Sequence, residues 1–141
     1  MVEQFARAAL RHLATAESLE DEGKLDDAGY HYGLVGEMAL KSAAQLIYGP
    51  TLPQKLKFHI NHGKVTLQDK IAKDLTFMNA LRSGRFTGGL DSHLAAGTLQ
   101  GCFAGWSINI RYADDGNCPV QAADVTAWRA DAIALYNNGM P

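Results

Sequence analysis

The sequence predicts an all-α protein: an up-and-down bundle of about five helices, forming a single domain over residues 1–141. Apolar residues recur at steps of three and four along most of the chain, which is the spacing of one helix face. No stretch has the pattern of a strand of any length. The chain has 141 residues, of which 47% are hydrophobic and 20% charged, an ordinary globular composition. That length is enough to bury one sizeable core.

Two helices are predicted in the first third of the chain. The first covers about residues 2–20 and the second about residues 25–48, where the pair Gly49-Pro50 ends it. Gly33 and Gly36 lie inside the second helix, and each costs about 1 kcal/mol of helix propensity relative to Ala. Two such residues in one long helix indicate the close approach of a neighbouring backbone.

The next segment, residues 51–63, is predicted to be a connection with a short helix opening at Pro53. A third helix follows, to about Arg82. Thr66 and Asp69 have the spacing of a capping box at its start, with Asp in the usual place of Glu.

A fourth helix is predicted to be the central one. It would begin at Asp91, after the glycine-rich segment 83–89, and its second half, GCFAGWSINI, is apolar on nearly every side. ADDGN (113–117) is typical of a turn, and Pro119 is suited to open a fifth helix. That helix has four residues predicted to face inward, Val125, Trp128, Ala132 and Leu135.

The charge is unevenly distributed although the net charge is only −2. Residues 55–85 contain seven basic and two acidic side chains, whereas the rest of the chain contains six basic and thirteen acidic ones. The middle third is therefore strongly positive. This asymmetry is compatible with an anion-binding face or a self-complementary dimer, and also with ordinary solvated helix surfaces.

The cellular compartment is predicted from what the sequence does not contain. No apolar run approaches the roughly 18 residues of a membrane-spanning helix, and the N-terminal residues lack the layout of a secretory signal. Cys102 and Cys118 are too few for a disulfide framework and form no CxxC pair. We expect a cytoplasmic protein with reduced thiols, without membrane association, metal or cofactor.

The common catalytic and metal-binding motifs are not found in the sequence. No Glu is followed three residues later by His, as a di-metal bundle requires, and neither HExxH nor GxSxG occurs. His59 and His62 can share a face, but no nearby carboxylate completes a metal site. We therefore predict no catalytic residue and no metal ligand.

Two polar groupings are candidates for binding. Glu37 and Lys41 have the spacing and order of a helix salt bridge, either exposed or, because their neighbours are apolar, partly buried. Arg111 and Tyr112 follow the predicted fourth helix. There Arg111 would interact with the helix dipole, or recognise an anion or a second subunit.

These segments together resemble the HEPN domain, a family of small helical bundles. AESLEDEGKLDDAGYHYGLVGEMALK (15–41) is similar to the family's opening helix pair, with Glu37 and Lys41 in the second helix. A histidine follows in HINHGKVTL, so that His59 and His62 are alternatives for one family position. INIRYADD (108–115) is similar to the family's Arg-Tyr-Pro-Asp ending of the penultimate helix, with Ala in place of Pro.

The resemblance implies a binding role rather than catalysis. Many family members are metal-independent ribonucleases with an Arg-x(4–6)-His motif late in the bundle, and no His follows Arg82 or Arg111 at that spacing. Arg7 and His12 match formally, but they lie in the first helix, about 140° apart. The implied ligand- or partner-binding residues are Glu37, Lys41, His59, His62, Arg111, Tyr112 and Asp114.

We therefore expect a non-catalytic HEPN-like domain that binds a nucleotide- or RNA-type anion, or a nucleotidyltransferase partner. A homodimer is expected because the predicted fourth helix is apolar all round. The alternative is a HEPN ribonuclease of the toxin or defence type, cleaving RNA without metal and using Arg7 and His12.

Overall fold

The structure, a computed structural model, describes residues 4–81, 97–112 and 120–139. Those ranges contain no strand, and the predicted all-α helical bundle is confirmed. The α-helices are α1 (Phe5–Asp21), α2 (Leu25–Tyr48), α3 (Leu67–Leu81) and α4 (Ala122–Gly139). Short 3-10 helices cover Gln54–Leu56, Thr98–Gly101 and Ile108–Tyr112.

The turn between α1 and α2 has a sequence-encoded geometry. Gly23 adopts a φ of 77°, which favours glycine. Its N–H donates to the carbonyl of Glu20, and the N–H of Lys24 donates to that of Leu19. This pair of bonds is the Schellman motif that ends many helices. The tight turn makes α1 and α2 antiparallel neighbours.

The central helix of the bundle is α2. It packs against α1, α3, α4 and the 108–112 turn, and most of its residues are buried on every side. A Cβ atom added at Gly33 would lie 2.0 Å from the Trp106 ring, and one at Gly36 would lie 2.3 Å from the Phe103 ring. The two glycines are therefore notches for aromatic side chains, not for a neighbouring backbone as the sequence predicted.

The predicted fourth helix is wrong over residues 97–112, which form 3-10 and other turns instead of an α-helix. Phe103 has a φ of 61°, which an α-helix does not allow. Its N–H donates to Asp131 in α4 at 2.8 Å, and the Trp106 indole donates to the carbonyl of Gly29 at 3.0 Å. The aromatic residues that made this segment look like a helix are used to anchor turns on α2 and α4.

Cys102 lies in the same turn segment and is a core residue, although not in an α-helix. Its thiol donates to the carbonyl of Thr98 at 3.4 Å. Burial, with a smaller contribution from Asp131, raises the pKa of the thiol to about 11. Cys102 is thus a packed, protonated side chain and not a reactive thiolate.

Other predicted features are confirmed. The connection opens a 3-10 helix directly after Pro53. At the start of α3, the Thr66 N–H donates to Asp69 at 3.0 Å, and the Asp69 N–H donates back to the Thr66 hydroxyl at 3.2 Å, a capping box. The four residues predicted to face inward from the last helix are all buried: Val125, Trp128, Ala132 and Leu135.

Several predictions fall outside the described residues: the glycine-rich segment 83–89, the Asp91 cap, the turn at 113–117, Cys118 and Pro119. Among the helices that are described, none combines the length and the apolarity needed to cross a membrane.

Candidate functional site

A buried carboxylate lies between two basic side chains at the centre of the candidate site. Glu37 is 2% exposed, on the middle of α2. One of its oxygens accepts from the Lys41 ammonium at 3.1 Å. The other lies 2.7 Å from Nδ1 of His59, in the connection between α2 and α3. The structure thus brings together three of the residues predicted from the sequence.

The Glu37–Lys41 pair belongs to the interior of the bundle. The Lys41 side chain is only 9% exposed, and its ammonium group lies 5.9 Å from the centre of the Phe5 ring on α1. Of the two interpretations of this pair, an exposed surface bridge is therefore wrong and a buried pair is right. A buried ion pair is costly to desolvate and strongly destabilising to break.

Glu37 also determines how His59 presents its imidazole. Because the carboxylate accepts from Nδ1, the proton on that nitrogen is fixed and Nε2 is left for other partners. The His59 side chain is 43% exposed. The arrangement is a carboxylate-oriented histidine whose second nitrogen is available for proton transfer or for donating to an anion.

His59 opens onto a small pocket of about 140 Å³. One wall is the loop that contains both candidate histidines, and the other is the start of the 108–112 turn. The lining residues are His59, Ile60, Asn61, His62, Gly63, Ser107, Ile108 and Asn109. Pockets for whole small molecules usually measure about 300–1,000 Å³. This one accommodates a phosphate-sized group, not an entire nucleotide.

Asn61 holds the two walls of this pocket together. Its side-chain amide donates to the carbonyls of Phe103 at 2.7 Å and of Trp106 at 2.9 Å. Gln68, which is fully buried, accepts from the Asn61 N–H and donates to its side-chain oxygen. Asn61 adopts a φ of 60°, a conformation that Asn tolerates better than most residues. The position of the His59–Gly63 loop is therefore fixed by partly buried hydrogen bonds.

A second pair of histidines, absent from the predicted site, lies across the α1–α2 interface. Nδ1 of His12 and Nδ1 of His31 are 3.1 Å apart. Desolvation lowers the pKa of both, and the His12 value is lowered further by the charges of His31 and Arg11, whereas Glu37 raises it. Along the sequence, His12 precedes the α1–α2 turn by about as many residues as His31 follows it. Antiparallel helices bring such positions together, so this spacing was the signal that could have predicted the contact.

Arg111 and Tyr112 form a separate surface pair. The guanidinium donates to the Tyr112 hydroxyl at 2.7 Å and lies 4.8 Å from the centre of the Tyr112 ring. Tyr30 on α2 also hydrogen-bonds Arg111. This pair follows the pocket wall in sequence, and its contacts are with Tyr30 and not with the Glu37–His59 grouping. Asp114 falls outside the described residues. The prediction that Arg111 lies at the end of a long helix is wrong, because residues 108–112 form a five-residue 3-10 helix.

A larger depression of about 430 Å³ lies elsewhere, along α3. It is lined by Asp69, Ala72, Lys73, Thr76, Phe77 and Gln100. None of these residues belongs to the Glu37–His59 grouping, so size alone does not identify the candidate site. Within residues 4–81, 97–112 and 120–139, no group of three or more His, Cys, Asp or Glu side chains is placed to hold a metal ion.

Comparison with known proteins adds no relative to this description. No protein-family model, no curated protein and no solved structure matches the chain. The function is therefore inferred from the chemistry of the Glu37–Lys41–His59 grouping and its pocket.

Proposed function

We propose that this chain is a HEPN-like binding domain that holds a phosphate group of a nucleotide- or RNA-type ligand in the pocket beside His59. The observation that carries the proposal is the buried Glu37 carboxylate, which is shared by Lys41 and His59, together with the position of His59 in the lining of a phosphate-sized pocket. A buried carboxylate that fixes one imidazole nitrogen leaves the other directed to a ligand.

The charge balance of the site favours an anion. Glu37 and Lys41 compensate each other, so a protonated His59 adds one positive charge at the pocket. A phosphate in the pocket can accept a charge-assisted hydrogen bond from that imidazolium. Asn109 and Ser107 on the facing wall add polar groups that suit phosphate oxygens. The pocket is therefore suited to a phosphate group.

Binding accounts for the geometry better than the ribonuclease alternative does. Arg7 is exposed on α1, whereas the His12 imidazole is directed at His31 in the α1–α2 interface. Catalysis by this pair would need both side chains at one scissile phosphate. Incubating RNA with the protein and with a His12→Ala variant tests the alternative: cleavage that His12→Ala abolishes would reinstate the ribonuclease.

The homodimer and the nucleotidyltransferase partner are parts of this proposal that need separate tests. The apolar segment that motivated the dimer is turned inward, with Phe103 fully buried and Trp106 2% exposed. Light scattering decides the oligomeric state, with a monomer of 15.3 kDa as the result that contradicts a dimer. The proposed partner is tested by co-purification of this protein with a nucleotidyltransferase encoded by a neighbouring gene.

The binding proposal is tested by calorimetric titration of the protein with AMP and with inorganic phosphate. His59→Ala is expected to weaken the binding of both ligands about tenfold or more, because it removes a charge-assisted hydrogen bond. Unchanged affinity in His59→Ala, or no binding of either ligand by the unaltered protein, would contradict the proposal.

Lys24→Ala is the matched control for loss of one positive charge. Lys24 is exposed, and so is its ion-pair partner Glu22, at 3.2 Å. It precedes Glu37 by thirteen residues along the chain at the start of α2, about 20 Å along the helix axis. Its removal changes the net charge without touching the pocket, so affinity is expected to stay within about twofold.

A further inference from the structure

An exposed aromatic stack lies directly beside the proposed phosphate pocket. The rings of Phe58 and His62 are parallel to within 2°, with centroids 5.1 Å apart. Phe58 is 37% exposed, and His62 is exposed as well. These two residues flank His59 in sequence, and His62 is itself part of the pocket lining.

The surroundings of this stack are positively charged. The ammonium of Lys70 on α3 lies 5.2 Å from the centre of the Phe58 ring, a cation–π arrangement. Residues 55–73 contain five lysines and one acidic residue, Asp69. Asp69 is occupied by the capping box with Thr66. A flat aromatic surface within a cationic segment is the combination that binds single-stranded nucleic acids.

From this juxtaposition we propose that the Phe58–His62 stack is a shelf for a nucleobase, and that the ligand of the pocket is a segment of single-stranded nucleic acid. This inference rests on the proposed function, because the pocket must hold the phosphate adjoining the stacked base. The pocket takes the phosphate at His59, and the exposed face of the stack takes the base.

The proposal explains an observation that phosphate binding alone does not. A pocket for a free anion has no use for exposed aromatic rings beside it. Stacking is also tolerant of base identity, since every base has a π face. The site therefore contributes affinity for single strands with little sequence preference.

The experiment compares two labelled strands by fluorescence anisotropy at moderate salt. One is a short single-stranded RNA, and the other is an abasic strand with the same number of phosphates. The unaltered protein is expected to bind the RNA at least about fivefold more tightly than the abasic strand. Phe58→Leu and His62→Ala are both expected to reduce that ratio towards one. Because Phe58 does not line the phosphate pocket, Phe58→Leu is expected to leave the affinity for the abasic strand unchanged.

Phe77→Leu is the matched control. Phe77 is 63% exposed on α3, outside the loop that forms the shelf, so its replacement is expected to leave the ratio unchanged. Equal melting temperatures of the variants verify that the fold is intact. A ratio near one for the unaltered protein, or the same ratio in Phe58→Leu and Phe77→Leu, would overturn the shelf.

The same titrations separate the two proposals. If His59→Ala weakens binding of both strands while the ratio is already near one, the phosphate pocket stands and the shelf does not. If neither strand binds to the unaltered protein, both proposals fail.

Discussion

The imidazoles of His12 and His31 meet across the α1–α2 interface with their Nδ1 atoms 3.1 Å apart. A hydrogen bond between two such atoms needs one donor and one acceptor, so at least one ring must be neutral at Nδ1. Protonation of both rings would place two N–H groups, and two positive charges, against each other. The contact is therefore stable only when the pair carries no more than one positive charge.

Acid is expected to destabilise the protein through this pair. The folded-state pKa of each ring is lowered from 6.5, so the folded protein binds fewer protons than the unfolded chain. This contribution to stability is fully present above pH 6.5 and is lost as the pH falls through the lowered folded-state pKa values. Asp27 beside His31 and Glu37 beside His12 oppose the shift without cancelling it.

Thermal melts between pH 5 and pH 8 measure this dependence. His31→Asn is expected to flatten the decrease of the melting temperature on acidification, whereas His62→Asn, in an exposed loop position, is expected to leave it unchanged. Identical pH profiles for the unaltered protein and His31→Asn would show that the pair does not couple protonation to folding.

Breaking the buried pair of Glu37 and Lys41 is expected to destabilise the folded protein strongly. Lys41→Met leaves the 2% exposed carboxylate without one partner and is expected to lower the free energy of unfolding by about 3–5 kcal/mol. Replacing both residues with Met removes both charges, so the double variant is expected to lose less than the sum of the two single variants.

Urea denaturation measures these differences. Lys24→Met breaks the exposed bridge to Glu22 and is the matched control, with an expected cost of at most about 1 kcal/mol. If Lys41→Met lowered the free energy of unfolding by no more than the control does, the Glu37–Lys41 pair would have to be solvated.

Gly33→Ala tests the notch that accepts Trp106. The added Cβ would lie 2.0 Å from the indole ring, so the 2% exposed ring must move. We expect a loss of about 3 kcal/mol, despite the better helix propensity of Ala. Gly101→Ala, where nothing lies within 4 Å of the new Cβ, is the control and is expected to change stability by about 0.5 kcal/mol at most. Equal unfolding free energies of the two variants would contradict the notch.

Asn61→Ala is expected to loosen both walls of the pocket. The change removes the two hydrogen bonds to the carbonyls of Phe103 and Trp106. It also removes the nearer acceptor of the Gln68 amide, which keeps only a 3.4 Å contact to the Cys102 carbonyl. The expected cost is about 1–3 kcal/mol in urea denaturation, because buried polar groups lose their partners. Asn109→Ala, an exposed residue on the facing wall, is expected to cost about 0.5 kcal/mol at most. A stability loss no greater than that of Asn109→Ala would show that Asn61 does not hold the loop.

The elements that the sequence predicted correctly are those with local causes. The Thr66–Asp69 capping box and the i,i+4 relation of Glu37 to Lys41 are determined by residues within one or two helical turns of each other. Helical side-chain pairs and capping boxes depend only on residues at that range. They can therefore be predicted without knowing how the rest of the chain packs.

The segment 97–112 shows where local pattern failed. Its apolar residues have helix-like spacing, but Phe103 and Trp106 occupy the notches at Gly36 and Gly33. Burial of those rings in α2, together with the bond from the Phe103 N–H to Asp131, outweighs the helix propensity of the segment. Propensities amount to about 1 kcal/mol or less per residue, whereas burying an aromatic ring contributes about 1.5–3 kcal/mol.

The bundle, the turns with capping signals and the Glu37–Lys41 pair were thus determined by the sequence alone, because short-range chemistry specifies them. Only the tertiary structure decided that α2 is the central helix, that His59 completes the grouping at Glu37 and that His12 meets His31. These contacts join residues 19 and 22 positions apart, and the packing of separate elements sets such distances. The physical reason is that core packing selects among helix arrangements that local propensity leaves equally favourable.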